Sequence, residues 1–270
     1  MKIIQTTAII TGATGGIGQS FAQHLVRSGA RIIMVARDNV ALKQLQNELL
    51  AQESVKPEQV HFFSCDLLKS EDRQALVNYI ENFKWPVNTL INNAGDNEFA
   101  WLESMSEQRI EKIIRLNTLT PMLLSRALMP HLNQQGHAQI INIGSTFGSI
   151  GYPGYSAYCA SKYALRGFSE ALRRELFDGP ICVKYLSPRA THTKLNSESV
   201  LAMNKELKVA MDAPNVVAKQ LLNLLQGNRH ELFIGWPETF FSKLNQLLPS
   251  LVGKSITKQL PIIRRYAQQS

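Results

Sequence analysis

Cysteine is scarce in this chain: 270 residues contain three, Cys65, Cys159 and Cys182. An odd number at wide separations argues against a disulfide framework and fits a reducing, cytoplasmic compartment. No pair has metal-ligand or redox-motif spacing, and the six histidines are scattered without a zinc pattern, so no metal site is expected. No run of eighteen apolar residues occurs, which leaves no membrane-spanning helix. Met1-Lys2-Ile3-Ile4 opens like a signal peptide, but Gln5, Thr6 and Thr7 interrupt the apolar run and glycines follow, so the segment reads as a strand. Acidic residues are absent from Phe240 to Ser270, where Lys243, Lys254, Lys258, Arg264 and Arg265 carry five of the chain's eight excess positive charges. Internal repeats and low-complexity segments are lacking too.

What is present is a regular alternation. Apolar, β-branched runs at 6–11, 31–36, 60–64, 88–92, 139–144, 181–186 and 231–234 read as strands. Amphipathic stretches at 17–28, 39–52, 70–82, 104–132, 156–177 and 213–225 read as helices between them. The strands are apolar almost throughout, as expected when both faces are covered. The pattern therefore predicts an α/β fold with a parallel sheet and helices on both sides. With 44% hydrophobic residues the chain is long enough for one large domain. Residues 191–212 are polar and read as a long loop of the lid or binding type.

Four glycines fall within Thr11-Gly12-Ala13-Thr14-Gly15-Gly16-Ile17-Gly18, where the first strand turns into the first helix. Gly12 permits a tight turn, Gly16 lets the backbone approach a pyrophosphate, and Gly18 lets helix and strand pack closely; the helix N-terminus offers N–H groups to phosphate. A purely structural turn is the alternative. The second strand ends at Ala36, followed by Arg37 and Asp38; an arginine here accommodates a 2′-phosphate, which favours NADP(H) over NAD(H). Of seven tyrosines, only Tyr158 has a lysine four residues on, Lys162. The two share a helix face, where an ammonium lowers a phenol's pKa and prepares it for proton transfer; a surface pair is the alternative. Ser145 lies thirteen residues before Tyr158, at the end of an apolar strand, where a hydroxyl can hold a substrate oxygen.

Together these motifs resemble the short-chain dehydrogenase/reductases, and the likeness runs from about residue 6 to 234. It is carried by the turn at 11–18, by Asp66 in Cys65-Asp66-Leu67, by Asn92-Asn93-Ala94-Gly95, by Asn117, by Ser145, and by Tyr158 with Lys162. The resemblance implies a single Rossmann-like, doubly wound parallel sheet over 1–236, with 237–270 as a basic C-terminal extension. It implies that Asn117, Ser145, Tyr158 and Lys162 are catalytic. Tyr158 would exchange a proton with the substrate oxygen, Ser145 would orient that oxygen, Lys162 would bind the nicotinamide ribose and lower the Tyr158 pKa, and Asn117 would hold a relay water. Cofactor contacts would come from Gly12, Thr14, Gly16, Ile17, Gly18, Arg37, Asp66, Asn93, Tyr158, Lys162, Pro188 and Thr193. A homo-oligomer, dimer or tetramer, is implied as well.

Two positions depart from the family pattern. Arg189 follows Pro188 where glycine is usual, and Asn88 stands where an aspartate is common. In the extension, Phe241, Leu244, Leu248, Leu251 and Val252 fall near helical spacing, with Pro249 and Pro261 dividing it into short pieces. Such a basic amphipathic segment can cover the cleft, contact another subunit or lie on an anionic membrane. Its leucine-rich character and the lack of any nucleic-acid motif argue against nucleic acid as a partner. Membrane contact would make a lipophilic carbonyl attractive as substrate: a 3-oxoacyl chain, a fatty aldehyde or a ketolipid. The rival reading is a non-catalytic dinucleotide-binding regulatory or scaffold protein.

Overall fold

A computed structural model describes residues 2–268. Its centre is a seven-stranded parallel sheet: β1 (Thr7–Thr11), β2 (Arg31–Ala36), β3 (Val60–Ser64), β4 (Thr89–Asn92), β5 (Ala138–Ile143), β6 (Ile181–Ser187) and β7 (Glu231–Phe233), in the order β3-β2-β1-β4-β5-β6-β7. Strand side chains alternate between faces, so each strand feeds two cores. Ala8, Ile10, Ile32 and Met34 enter one core, while Ile9, Ile33 and Val35 enter the other. The first core is covered by α1 (Gly16–Arg27), α2 (Asn39–Leu50) and α8 (Pro214–Gln226) through residues such as Phe21, Leu45 and Leu221. The second lies under α3 (Ser70–Glu81), α5 (Thr120–Asn133) and α6 (Ser156–Glu175) through Leu76, Leu128 and Leu172. The continuous apolar strands thus reflect burial on both sides.

Four local features differ from the sequence expectation. Ile3–Gln5 forms a 3-10 turn, and β1 begins only at Thr7. The stretch 104–132 is not one regular helix: α4 (Glu107–Ile114) passes through a π-helical segment, Arg115–Leu119, into α5. The supposed loop 191–212 contains α7 (Glu198–Glu206), whose N-cap Ser197 accepts a hydrogen bond from the Val200 N–H. Finally, the extension is helical throughout most of its length, as α9 (Glu238–Leu247), α10 (Pro249–Thr257) and α11 (Leu260–Ala267). Pro249 and Pro261 sit in the first turns of α10 and α11, where a missing N–H costs nothing.

A third, smaller core lies off the sheet. Phe99, Tyr155, Cys159, Val200, Met203 and Ile263 pack together, so α7 and α11 are tied to the start of α6. The Tyr266 hydroxyl donates to Glu206 at 2.8 Å across the same junction. Among the described residues, no helix is long and apolar enough to cross a membrane, and all three cysteines are free thiols.

Candidate active site

In a sheet of this order, the connections from β1 and β4 depart in opposite directions and leave a crevice at the carboxyl ends of the strands. The glycine turn occupies that position. Gly12 has φ +64°, and a Cβ there would stand 2.8 Å from the Ala94 Cα. A Cβ on Gly18 would stand 2.3 Å from the Gly12 carbonyl oxygen. The turn is held from β4 by two neighbours that spacing alone did not single out together. Thr11 Oγ1 accepts from the N–H groups of Asn93 and Ala94 at 2.9 and 3.0 Å, and the Asn93 amide donates to the Thr11 carbonyl at 2.9 Å. Asn93 therefore shapes the turn with its side chain while also lining the crevice. At the start of α1, Gly15 provides no side-chain cap, which leaves helix N–H groups available to an anion. The residues thus fit a dinucleotide phosphate: a bare backbone cradle with an uncapped helix end. Thr193 borders it, since a Cβ on Gly16 would meet the Thr193 methyl at 3.0 Å.

Arg37 and Asp66 follow the ends of β2 and β3, on the same edge of the sheet. Arg37 is exposed. The neighbouring Asp38 is engaged otherwise: one carboxylate oxygen accepts from Val40 N and Ala41 N at 2.9 and 3.0 Å, capping α2. Asp66 Oδ1 accepts from the Leu68 N–H at 3.1 Å. Thr14 lies in the glycine turn, where its carbonyl accepts from the Gln19 side chain at 3.0 Å.

The crevice continues into a cavity of about 460 Å³. Ser145, Tyr158 and Lys162 meet there, joined by Ile17, Pro188 and Thr193. Ser145 follows β5 and caps a short 3-10 turn, its Oγ accepting from the Phe147 N–H at 3.2 Å. The Ser145 hydroxyl and the Tyr158 phenol line the same stretch of the cavity, and the hydroxyl favours the phenolate. Lys162, one turn along α6, is buried and donates to the Ile143 carbonyl at 2.9 Å. Its ammonium stands 5.7 Å from the centre of the Tyr158 ring.

Electrostatics at the pair differ from the sequence expectation. The Tyr158 phenol is pushed up to about 12, because burial penalises the phenolate more than the nearby Ser145 hydroxyl favours it. Burial brings Lys162 down to about 8, since its charge is poorly solvated. The phenol's shift thus runs opposite to the expected downward pull of Lys162, and desolvation is its largest cause.

Asn117 does not line the cavity. It is fully buried in the π-helical segment behind it, a distortion common at functional sites. Its amide is spent on three partners: it accepts from Asp96 N at 2.8 Å and donates to Asp96 O at 2.8 Å and Ser161 Oγ at 2.9 Å. Ser161 in turn donates to the Tyr158 carbonyl at 2.7 Å, so Asn117 is linked to the helix turn that carries Tyr158.

Sequence spacing missed much of the wall. Phe147, Tyr152 and Tyr155 line the cavity beside Tyr158, and the Phe147 and Tyr152 rings stack at 5.1 Å. The three-residue rhythm of Tyr152, Tyr155 and Tyr158 was the available signal. The extension contributes Phe241, Val252 and Ile256, and Tyr152 donates to Gln259 at 3.1 Å. Arg189 also lines the cavity. Its guanidinium pairs with Asp212 at 2.8 Å and with Glu238 at 3.3 Å, joining the end of segment 190–212 to the first residue of α9. Asn88, the other departure, accepts from the Thr7 N–H at 3.0 Å and pins the start of β1.

Known proteins resemble this chain in sequence and fold. The family model for short chain dehydrogenases matches residues 6–204. Dehydrogenase/reductase SDR family member 7B of Mus musculus is 31% identical over 194 residues, 72% of this chain and 60% of that protein. The 3-oxoacyl-(acyl-carrier-protein) reductase of Homo sapiens is 32% identical over 189 residues, 70% of this chain and 77% of that protein. A solved short-chain dehydrogenase from Sphingobium yanoikuyae, in complex with NADPH, is 28% identical with a TM-score of 0.75, covering 93% of this chain and 95% of that one. With sheet order, glycine turn and family match in agreement, the chain belongs to the short chain dehydrogenase family and is an NAD(P)-dependent oxidoreductase of alcohol or carbonyl groups.

Proposed function

We propose that this enzyme uses NADP(H) to reduce the carbonyl of a lipophilic substrate, a 3-oxoacyl chain, fatty aldehyde or ketolipid, or to oxidise the corresponding alcohol. The observation that carries the reading is the convergence of Ser145, Tyr158 and, one helical turn on, Lys162 in a cavity walled by Phe147, Phe241 and Val252. The cofactor, when bound, supplies the hydride. The protein's part is the proton. Tyr158 stays protonated at neutral pH and donates its phenolic proton to the substrate oxygen as that oxygen gains charge. Ser145 holds the same oxygen by hydrogen bonding. Lys162 places a positive charge beside the phenolate that results, and Asn117, its amide engaged by Asp96 and Ser161, fixes the helix turn from behind rather than holding a relay water. The apolar wall suits an acyl or alkyl substituent and excludes water from the exchange.

The NADP(H) preference rests on Arg37, exposed beyond β2, and on Asp38, whose carboxylate is occupied as a helix cap. The NADPH complex of the Sphingobium yanoikuyae relative supports it. A cytoplasmic homo-oligomer fits the exposure of Leu119 and Tyr163, on the helices that carry Asn117 and Tyr158.

The test uses NADPH deuterated at the transferable C4 position, incubated with the protein and a metabolite and lipid extract. Deuterium is expected in lipophilic alcohols by mass spectrometry. Arg37→Ala should raise the KM for NADPH about tenfold, the loss of one charge-assisted contact, with little change for NADH. Tight NADPH binding with no label in any product would favour the non-catalytic rival.

A pH profile follows from the shifted groups. Lys162 loses its proton through about pH 8, while Tyr158 keeps its own to about 12. Reductive kcat/KM should therefore be flat below pH 7 and fall above 8, about tenfold per unit, as the charge that stabilises the phenolate disappears. Stability should move the opposite way. Between about 8 and the lysine's ordinary 10.5 the unfolded chain binds more protons at this site, so its burial penalty is relieved as pH rises. Steady-state rates and denaturant melts across pH 6–10 check both signs.

A further inference from the structure

The helix α9 is amphipathic in the wrong sense for a helix resting on a protein surface. Its buried residue is Ser242, and its inward Asn245 donates to the Ser149 carbonyl at 2.9 Å. Its outer face carries apolar side chains: Phe240 is 47% exposed and Leu247 79%, and Leu248 at its C-cap is 47% exposed. Trp236, just before the helix, is 73% exposed and packs on Phe240 at 5.7 Å, and Leu251 on α10 is 55% exposed. Exposure of these five large apolar side chains on adjoining turns marks an interaction surface.

Charge says what covers it. Lys243, Lys254 and Lys258 are exposed around this face, and no acidic residue follows Glu238, whose carboxylate is held by Arg189. A two-fold contact between copies would place the same patch against itself, bringing these lysines against their own kind. An anionic bilayer instead offers hydrocarbon to the leucines, an interfacial level to the indole, and negative headgroups to the ammonium groups.

We infer that the outer face of α9 and the adjoining corner of α10 dock this enzyme on an anionic membrane surface. Phe241 belongs to both regions: it is 38% exposed beside the patch and also lines the substrate cavity. Docking therefore sets the cavity wall against the lipid phase, from which a lipophilic carbonyl compound can enter without crossing water. This extension to substrate delivery rests on the proposed lipophilic substrate; the docking itself does not.

The test is sedimentation of the full-length protein with vesicles of phosphatidylcholine with and without phosphatidylglycerol, read alongside light scattering for oligomeric state. Binding is expected only with the anionic lipid, weakening as salt is raised. Lys243→Gln and Lys254→Gln should each lower affinity about fivefold. The double variant Leu247→Asp/Leu251→Asp should lose binding at least tenfold, with an unchanged melting profile and unchanged NADPH affinity. Binding that survives that double variant would overturn the inference, as would no binding by the wild type. An oligomer that the aspartates dissociate, without vesicle binding, would assign the face to a subunit contact instead. Because vesicle binding needs no turnover, a failure of docking is distinguishable from a failure of the proposed reductase activity.

Discussion

Tyr158→Phe is expected to lower kcat by about 10³-fold, within the usual range for removing a general acid, while NADPH still binds. The substitution removes one oxygen and leaves the ring contacts with Phe147 and Tyr155 in place. Folding should be little affected, because the lost hydroxyl belongs to a residue that lines a cavity water can enter. Lys162 remains attached to the Ile143 carbonyl, so ribose binding should persist. Fluorescence titration with NADPH and single-turnover rates separate the two effects. A parallel loss of cofactor affinity and rate would mean that Tyr158 supports binding rather than proton transfer.

Gly18→Ala should be strongly damaging for so small a substitution. The added methyl would stand 2.3 Å from the Gly12 oxygen and 2.8 Å from the Ala13 Cα, both backbone atoms that cannot rotate aside. Relief requires α1 to move off the turn, and the turn is pinned through Thr11 by Asn93, which follows β4. A stability loss of about 1–3 kcal/mol, typical of overpacking, should accompany at least tenfold weaker NADPH binding. Gly167→Ala, in the middle of α6, is the control. A Cβ there meets nothing within 4 Å, so removing the glycine should stabilise the helix by about 0.5–1 kcal/mol. Denaturant melts of both variants check the contrast.

These two sites were legible in the sequence because their signals are local. A glycine at each step of a strand-to-helix turn, and a tyrosine one helical turn before a lysine, are written in adjacent residues. The same holds for β2 and β3, whose ends coincide with the apolar runs 31–36 and 60–64. Segment 191–212 hid α7 because its apolar residues face a small core made with Phe99 and Ile263, contacts distant in sequence. The π-helical segment at Arg115–Leu119 was invisible for a similar reason. Its residues suit an ordinary helix, and the distortion is set by Asp96 and Ser161, which claim the Asn117 amide from two other elements.

By itself, then, the order of apolar and amphipathic stretches determined a parallel sheet with two covered faces, because burial on both sides demands uninterrupted apolar strands. It also determined which chemical groups are at hand: a bare phosphate cradle, a phenol, an ammonium and a hydroxyl. Only the tertiary structure decided how those groups behave. Desolvation depends on everything packed around a side chain, so the rise of Tyr158 and the fall of Lys162 belong to the assembled cavity and not to their four-residue spacing. The same is true of Arg189, whose partners Asp212 and Glu238 lie 23 and 49 residues away. Likewise α9 turns Ser242 and Asn245 inward and Phe240 and Leu247 outward because the connection between β5 and α6 offers Asn245 the Ser149 carbonyl near the cavity, a choice no periodicity in 237–270 could reveal.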